Sequence, residues 1–151
     1  MALNVDKIKI RPASGIIDYF WLRQLRNESS HFLTGNSSNI SAFKQFLFFL
    51  NTPSFIKIYI VNVNNIRAGY LLIRKDGDVC FITEVLKANF RGFGLGTSMI
   101  NFAKTLTSHL IAEILITNLA SIRLHEKNGF NLISSKDNIV KYQYSHSIII
   151  K

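Results

Sequence analysis

The run Arg91-Gly92-Phe93-Gly94-Leu95-Gly96-Thr97 places an arginine and three glycines within seven residues. Glycine lacks the Cβ atom that keeps an approaching oxyanion at a distance. If a helix starts inside the run, its first N–H groups have no partner within the helix and its dipole presents a positive end. Together these make a site for phosphate or pyrophosphate. The Arg91 guanidinium can add a bidentate, charge-assisted contact. The spacing is not G-x-G-x-x-G and no early strand–turn–helix carries it, which excludes a Rossmann nucleotide site. No Gly-Lys-Ser/Thr follows, which excludes a P-loop. On the loop alone, an ordinary glycine turn that starts a helix remains open.

The flanking elements favour the anion site. Before the loop, Phe55 to Val63, Arg67 to Arg74 and Asp78 to Val85 read as a three-strand antiparallel meander. Its turns, Asn64-Asn65 and Asp76-Gly77, tolerate positive φ. After it, Gly94 to Ser108 carries Leu95, Met99, Phe102, Ala103 and Leu106 on one helical face. His109 to Ile116 then reads as a buried strand. Strand, helix and strand in succession predict a parallel crossover. Leu119 to Asn128 is a short helix with Gly129 as a left-handed cap. Phe130 to Ser134 and Ile139 to Tyr144 close the sheet. At the other end, Lys7 to Arg11 is a first strand ended by Pro12. Gly15 to Arg26 is a helix with Ile17, Phe20, Trp21 and Leu25 at helical spacing. Ser41 to Leu50 is a second helix, with Phe43, Phe46, Leu47 and Leu50 expected inward.

Composition bounds the rest. The 151 residues suit one domain, here 1–151, with a core of its own. A hydrophobic share of 48% excludes a disordered chain. The one cysteine, Cys80, excludes an internal disulfide and any structural zinc site needing several thiolates. No metal is expected. MALNVDKIKI has charges where a signal peptide would be apolar, and FKQFLFFL is too short to span a bilayer, so a cytoplasmic protein without a membrane partner is expected. A net charge of +9 suits anionic ligands without naming one.

Two blocks carry a family resemblance. Arg91-x-x-Gly94-x-Gly96 resembles the Gln/Arg-x-x-Gly-x-Gly/Ala motif of the GNAT superfamily of N-acetyltransferases. Asn118-Leu-Ala-Ser121-Ile122-Arg-Leu124-His125-Glu126-Lys127-Asn-Gly129-Phe130 is similar to that family's second signature. The blocks lie in the expected order, and the resemblance covers roughly 81–130. It implies an α+β GNAT-like fold: a mixed, mostly antiparallel sheet of about seven strands, splayed between the fourth and fifth and flanked by about four helices.

The resemblance also implies roles. Backbone N–H groups of Phe93, Gly94, Gly96 and Thr97, beside Arg91 and Gly92, would hold the pyrophosphate of acetyl-CoA, with no metal. Val85 and Leu86, next to Glu84, would pair with the pantetheine amides, and a backbone N–H near Leu86 would receive the oxyanion. Asn118 would touch the pantetheine arm, although an N-cap role suits it equally. His125 stands where the family usually has a tyrosine acid, and a packed helix histidine is the plainer reading. Glu113, at an offset where some relatives carry the base, is set slightly ahead of Glu84, with a water relay open. Arg26, Asn27 and His31, after the first helix, would meet the acceptor.

The expected activity is therefore transfer of acetyl from acetyl-CoA to a primary amine through a tetrahedral intermediate. An amino sugar on a nucleotide carrier is the named acceptor, with protein N-termini and small amines as alternatives. A non-catalytic acyl-CoA sensor is the competing reading, and a homodimer is one open state. Nucleic-acid binding is disfavoured, because Lys and Arg are scattered and the aromatics fall mostly on core-facing positions.

Overall fold

The structure, a computed structural model, describes residues 7–35 and 38–146. Its elements are β1 (Ile8–Pro12), α1 (Gly15–Glu28), α2 (Ala42–Leu50), β2 (Ile56–Val63), β3 (Ile66–Asp76), β4 (Val79–Leu86), α3 (Leu95–Leu106), β5 (His109–Leu115), α4 (Leu119–Lys127), β6 (Asn131–Lys136) and β7 (Ile139–Ser145). One seven-stranded sheet takes the order β1-β2-β3-β4-β5-β7-β6. Its pairings are antiparallel except that of β4 with β5, which the α3 crossover makes parallel. The mixed sheet with helices on both faces is the architecture expected from the sequence.

Local chemistry sets the turns. Asn64 and Asn65 both sit at positive φ (50 and 66), as a tight hairpin between β2 and β3 needs. Asp137 and Asn138 do the same between β6 and β7, a turn the sequence reading left undescribed. Ser41 caps α2 by accepting from the Lys44 N–H at 3.2 Å.

Each face of the sheet has its own core. Helices α3 and α4 cover one face, where Leu71, Ile82, Met99, Ile100 and Leu110 are buried. Helices α1 and α2 cover the other, over Ile58, Ile60, Tyr70 and Val85.

Two helix faces differ from expectation. In α2 the residues expected inward point out: Phe43 is 69% exposed, and Phe46, Leu47 and Leu50 are exposed too. Gln45 is buried instead, Phe48 joins the core, and Phe49 meets the Tyr19 ring edge-on. A nine-residue helix that is apolar nearly all round has no stripe to orient it, so its neighbours on α1 decide. In α1, Ile17 is exposed and Asp18 is buried. Asp18 is tolerated there because Arg11 of β1 and Arg67 of β3 both bind its carboxylate. Leu106, expected on the buried face of α3, is also exposed.

Candidate active site

The site begins where β4 leaves β5. The two strands pair only from Cys80 to Ile82, against Leu110 to Ala112, whereas β4 stays paired with β3 as far as Leu86. The Lys87 N–H donates to the Ala68 carbonyl at 2.9 Å, which sets the parity of that ladder. Odd-numbered β4 residues therefore turn their backbone groups to β3, and those of Glu84 and Leu86 face the opened side. Val85, expected to pair with a ligand, instead spends its backbone on Tyr70 of β3. Beyond Ile82 the strands enclose a cavity of about 610 Å³ that passes through the sheet from the α3/α4 face to the α1/α2 face.

Gly69 lies across from Leu86, on the side of β4 that stays paired. A Cβ there would lie 2.3 Å from the Val85 carbonyl oxygen, so only glycine lets β3 approach β4 at the point of splay. The sequence reading did not single it out, because one glycine inside a strand has no distinctive local signature.

At the far end of the opened strand lies the glycine loop. Gly92 and Gly94 adopt φ of 83 and 80, and Gly94 caps α3. A Cβ on either would enter open space, so their role is to turn the chain and leave room in front of the helix. The first intrahelical bond runs from the Ser98 N–H to the Gly94 carbonyl, which leaves the N–H groups of Leu95, Gly96 and Thr97 without helical acceptors. Leu95 joins the expected set here. Gly96 has a different reason to be glycine: its Cβ would meet a Leu124 methyl at 2.7 Å, so it sets how closely α4 packs on α3. Arg91 donates from Nε and Nη2 to the Leu86 carbonyl at 3.2 and 3.1 Å and stacks over Phe32. It braces the strand end against the loop. The Phe93 side chain is exposed.

Glu84 and His125 meet on the α3/α4 side. His125 Nε2 lies 3.1 Å from Glu84 Oε1, and Nδ1 lies 2.8 Å from the Ser121 carbonyl oxygen. The imidazole is 0% exposed and the Glu84 side chain 10%. Burial opposes the charged ring, but the Glu84 carboxylate and the Ser121 carbonyl outweigh it, so the His125 pKa is raised above 6.5.

The other expected residues separate. Glu113 borders the cavity from β5, with Lys141 of β7 at 2.9 Å. The Asn118 side chain accepts from the Ser121 N–H at 3.3 Å, so it caps α4 and also borders the cavity. Arg26 lines the acceptor side. Asn27 is elsewhere: it donates to the Ile40 carbonyl and accepts from the Ile40 N–H, clamping the chain ahead of α2. His31 is exposed against Phe32 and does not line the cavity. Phe32, Leu33, Tyr70 and Leu72 line it instead. Phe32 and Leu33 follow His31 directly in the expected acceptor loop; Tyr70 and Leu72 carry no sequence signal, because apolar residues facing a cavity look like core until the sheet is assembled. Burial pushes the Tyr70 phenol up, so it remains a neutral hydroxyl. Among the described residues no group of three or more His, Cys, Asp or Glu is placed to hold a metal, and no helix is long and apolar enough to cross a membrane.

Known proteins share this architecture. A domain from Methanocaldococcus jannaschii superposes with a TM-score of 0.80 at 19% identity, over 93% of this chain and 99% of that one. A putative acetyltransferase from Salmonella typhimurium, solved with its cofactor acetyl-CoA, gives 0.71 at 18% identity over 93% and 94%. Spermidine N-acetyltransferase from Vibrio cholerae, in complex with CoA and spermine, gives 0.78 at 13% over 93% and 96%. No curated protein matches in sequence. The family model described as the Acetyltransferase (GNAT) family matches residues 20–130, which span the splayed strand, the loop and α4. The chain belongs to the GNAT acetyltransferase family and is an acetyl-CoA-dependent acyltransferase.

Proposed function

We propose that this chain transfers the acetyl group of acetyl-CoA to a primary amine that attacks the thioester directly. The observation that carries the reading is the splay of β4 from β5, which leads an unpaired strand edge to a helix mouth. An elongated ligand with amides at one end and a diphosphate at the other suits that path. Its amides would pair with the backbone of Glu84 and the Leu86 N–H. Its diphosphate would meet the N–H groups of Leu95, Gly96 and Thr97. Asn118, at the rim of the cavity, would contact the pantetheine arm while capping α4.

The acceptor would enter from the α1/α2 side, past Arg26, Phe32, Leu33 and Tyr70. The cavity has two carboxylates: Glu113 pairs with Lys141, and Glu84 has one oxygen on His125. Only one carboxylate oxygen, on Glu84, is open to an amine there, so the wall suits a compact monoamine with an apolar body rather than a polycation. Arg26 alone of the residues expected to recognise a nucleotide-linked sugar borders the cavity, and the reading therefore extends to small amines and peptide N-termini. The buried single thiol of Cys80 suits a reducing, cytoplasmic setting.

In the reaction the amine must lose a proton, and the oxyanion must meet a donor. The Leu86 N–H on the opened edge is the donor closest to the strand end, and Glu84 is a carboxylate within the cleft. A thiolate leaving group with a pKa of about 8.5 departs without strong acid help. Two measurements test the reading. Calorimetry with acetyl-CoA should show binding that Gly94→Val abolishes, and a panel of amines should release CoA thiol. An acetyl-CoA that neither binds nor is consumed would overturn it.

A further inference from the structure

The hydrogen bonds of His125 determine where its protons sit. A carbonyl oxygen can only accept, so the 2.8 Å contact with Ser121 places a hydrogen on Nδ1. If the ring were neutral, the lone pair on Nε2 would point at the Glu84 carboxylate from 3.1 Å, two acceptors facing each other in a buried place. A second ring hydrogen, on Nε2, removes the conflict and makes the contact an ion pair. Other charged groups of the surrounding elements are engaged elsewhere. Lys104 of α3 donates to the Asn128 carbonyl, Glu126 of α4 accepts from Tyr142, and Glu113 of β5 pairs with Lys141. On its open flank the ring meets Phe130 edge-on at 4.9 Å. Both residues border the cavity, but the His125 ring is 0% exposed behind Glu84, whereas Glu84 is 10% exposed and its side chain makes no other hydrogen bond among the described residues.

We propose that His125 is a buried imidazolium that positions Glu84, and that Glu84 alone of the pair touches the reactants. This rests on the acetyltransferase reading above. Glu84 Oε2 takes the proton that the amine nitrogen loses as the N–C bond forms. The same proton passes to the sulfur as the C–S bond breaks, and the carboxylate is restored. The imidazolium keeps both of its hydrogens throughout, holding Oε1 and directing Oε2 at the cleft. The two candidate catalytic residues are thus one unit with one point of contact.

Nitrogen NMR of the histidine rings in the full chain, without substrate, tests the charge state. At about pH 7, where a free imidazole is mostly neutral, His125 should carry hydrogens on both nitrogens. Glu84→Gln should convert it to a neutral ring protonated on Nδ1. A neutral ring in the wild type, or a doubly protonated ring that survives Glu84→Gln, overturns the proposal. A kinetic cycle tests the point of contact. Glu84→Gln should lower kcat about a hundredfold with little change in the acetyl-CoA KM, and His125→Gln should lower it less. The double variant should match Glu84→Gln, since His125 acts only through Glu84. A further loss in the double variant would mean that His125 meets the reactants itself, against the proposal. A wild type that consumes no amine fails the acetyltransferase reading, while the ring titration still decides the imidazolium.

Discussion

Among the described residues, the carboxylates of Asp18 and Glu84 are 2% and 10% exposed, and they are treated differently. Asp18 accepts from Arg11 at 2.5 and 3.0 Å, from Arg67 at 3.0 Å and from the Ser14 N–H at 2.9 Å. Both of its oxygens are used, and β1, α1 and β3 are tied together through them. Glu84 has one partner, His125, on one oxygen. A saturated buried carboxylate is a structural joint, because every lone pair it could offer a ligand is committed. A half-satisfied one at the edge of a cavity is kept for something that arrives. Burial alone does not distinguish the two; the count of unfilled acceptor positions does.

The comparison breaks first at Asp18. Asp18→Asn should lose about 3 kcal/mol of stability, as expected when one member of a buried ion cluster is removed. Urea denaturation should show this while kcat and KM stay at wild-type values. A fall in kcat without a fall in stability would reverse the assignment of roles. Glu84→Gln should do the opposite: a loss of about a hundredfold in kcat, near 2.7 kcal/mol of transition-state stabilisation, with a smaller change in the urea midpoint. Gly69→Ala probes the β3–β4 approach beside the cleft and should cost about 2 kcal/mol through overpacking. Its acetyl-CoA KM should rise as well, because β4 must shift.

The smallest expected effects are in the pH dependence, and they differ in sign. The arginines and the Ser14 N–H hold Asp18 at about 2 against burial, below its ordinary 3.8. Its contribution is present above the unfolded value and is lost as pH falls through about 2. His125 has a raised value, so its contribution is complete below about 6.5 and is lost as pH rises through the folded value. Stability curves of wild type and Glu84→Gln should therefore converge on the alkaline side, and those of wild type and Asp18→Asn on the acid side. Curves that stay parallel would remove the electrostatic account of both clusters.

The β2–β4 meander and the α3 crossover carried readable signals: asparagine and Asp-Gly turns, alternating strands, and a glycine loop ahead of a periodic helix. The place of β7 between β5 and β6 carried none. The third hairpin turn, Asp137-Asn138, carries the same chemistry and is equally legible. The orientation of α2 was not legible, because apolar residues on nearly every side leave periodicity nothing to act on. Asn27 and His31 were placed by analogy of position, and the structure puts them in a loop clamp and on the surface.

By itself the sequence determined the glycine loop ahead of α3 and the family blocks, because these depend on residue types at fixed short spacing along one segment. Tertiary structure alone decided that Glu84 and His125 form a pair. They lie forty-one positions apart on a strand and a helix that meet only after the α3 crossover is packed, and no local pattern encodes a contact between them. It also decided which glycine lets β3 approach β4 beside the cleft, since the constraint on Gly69 comes from the backbone of a neighbouring strand.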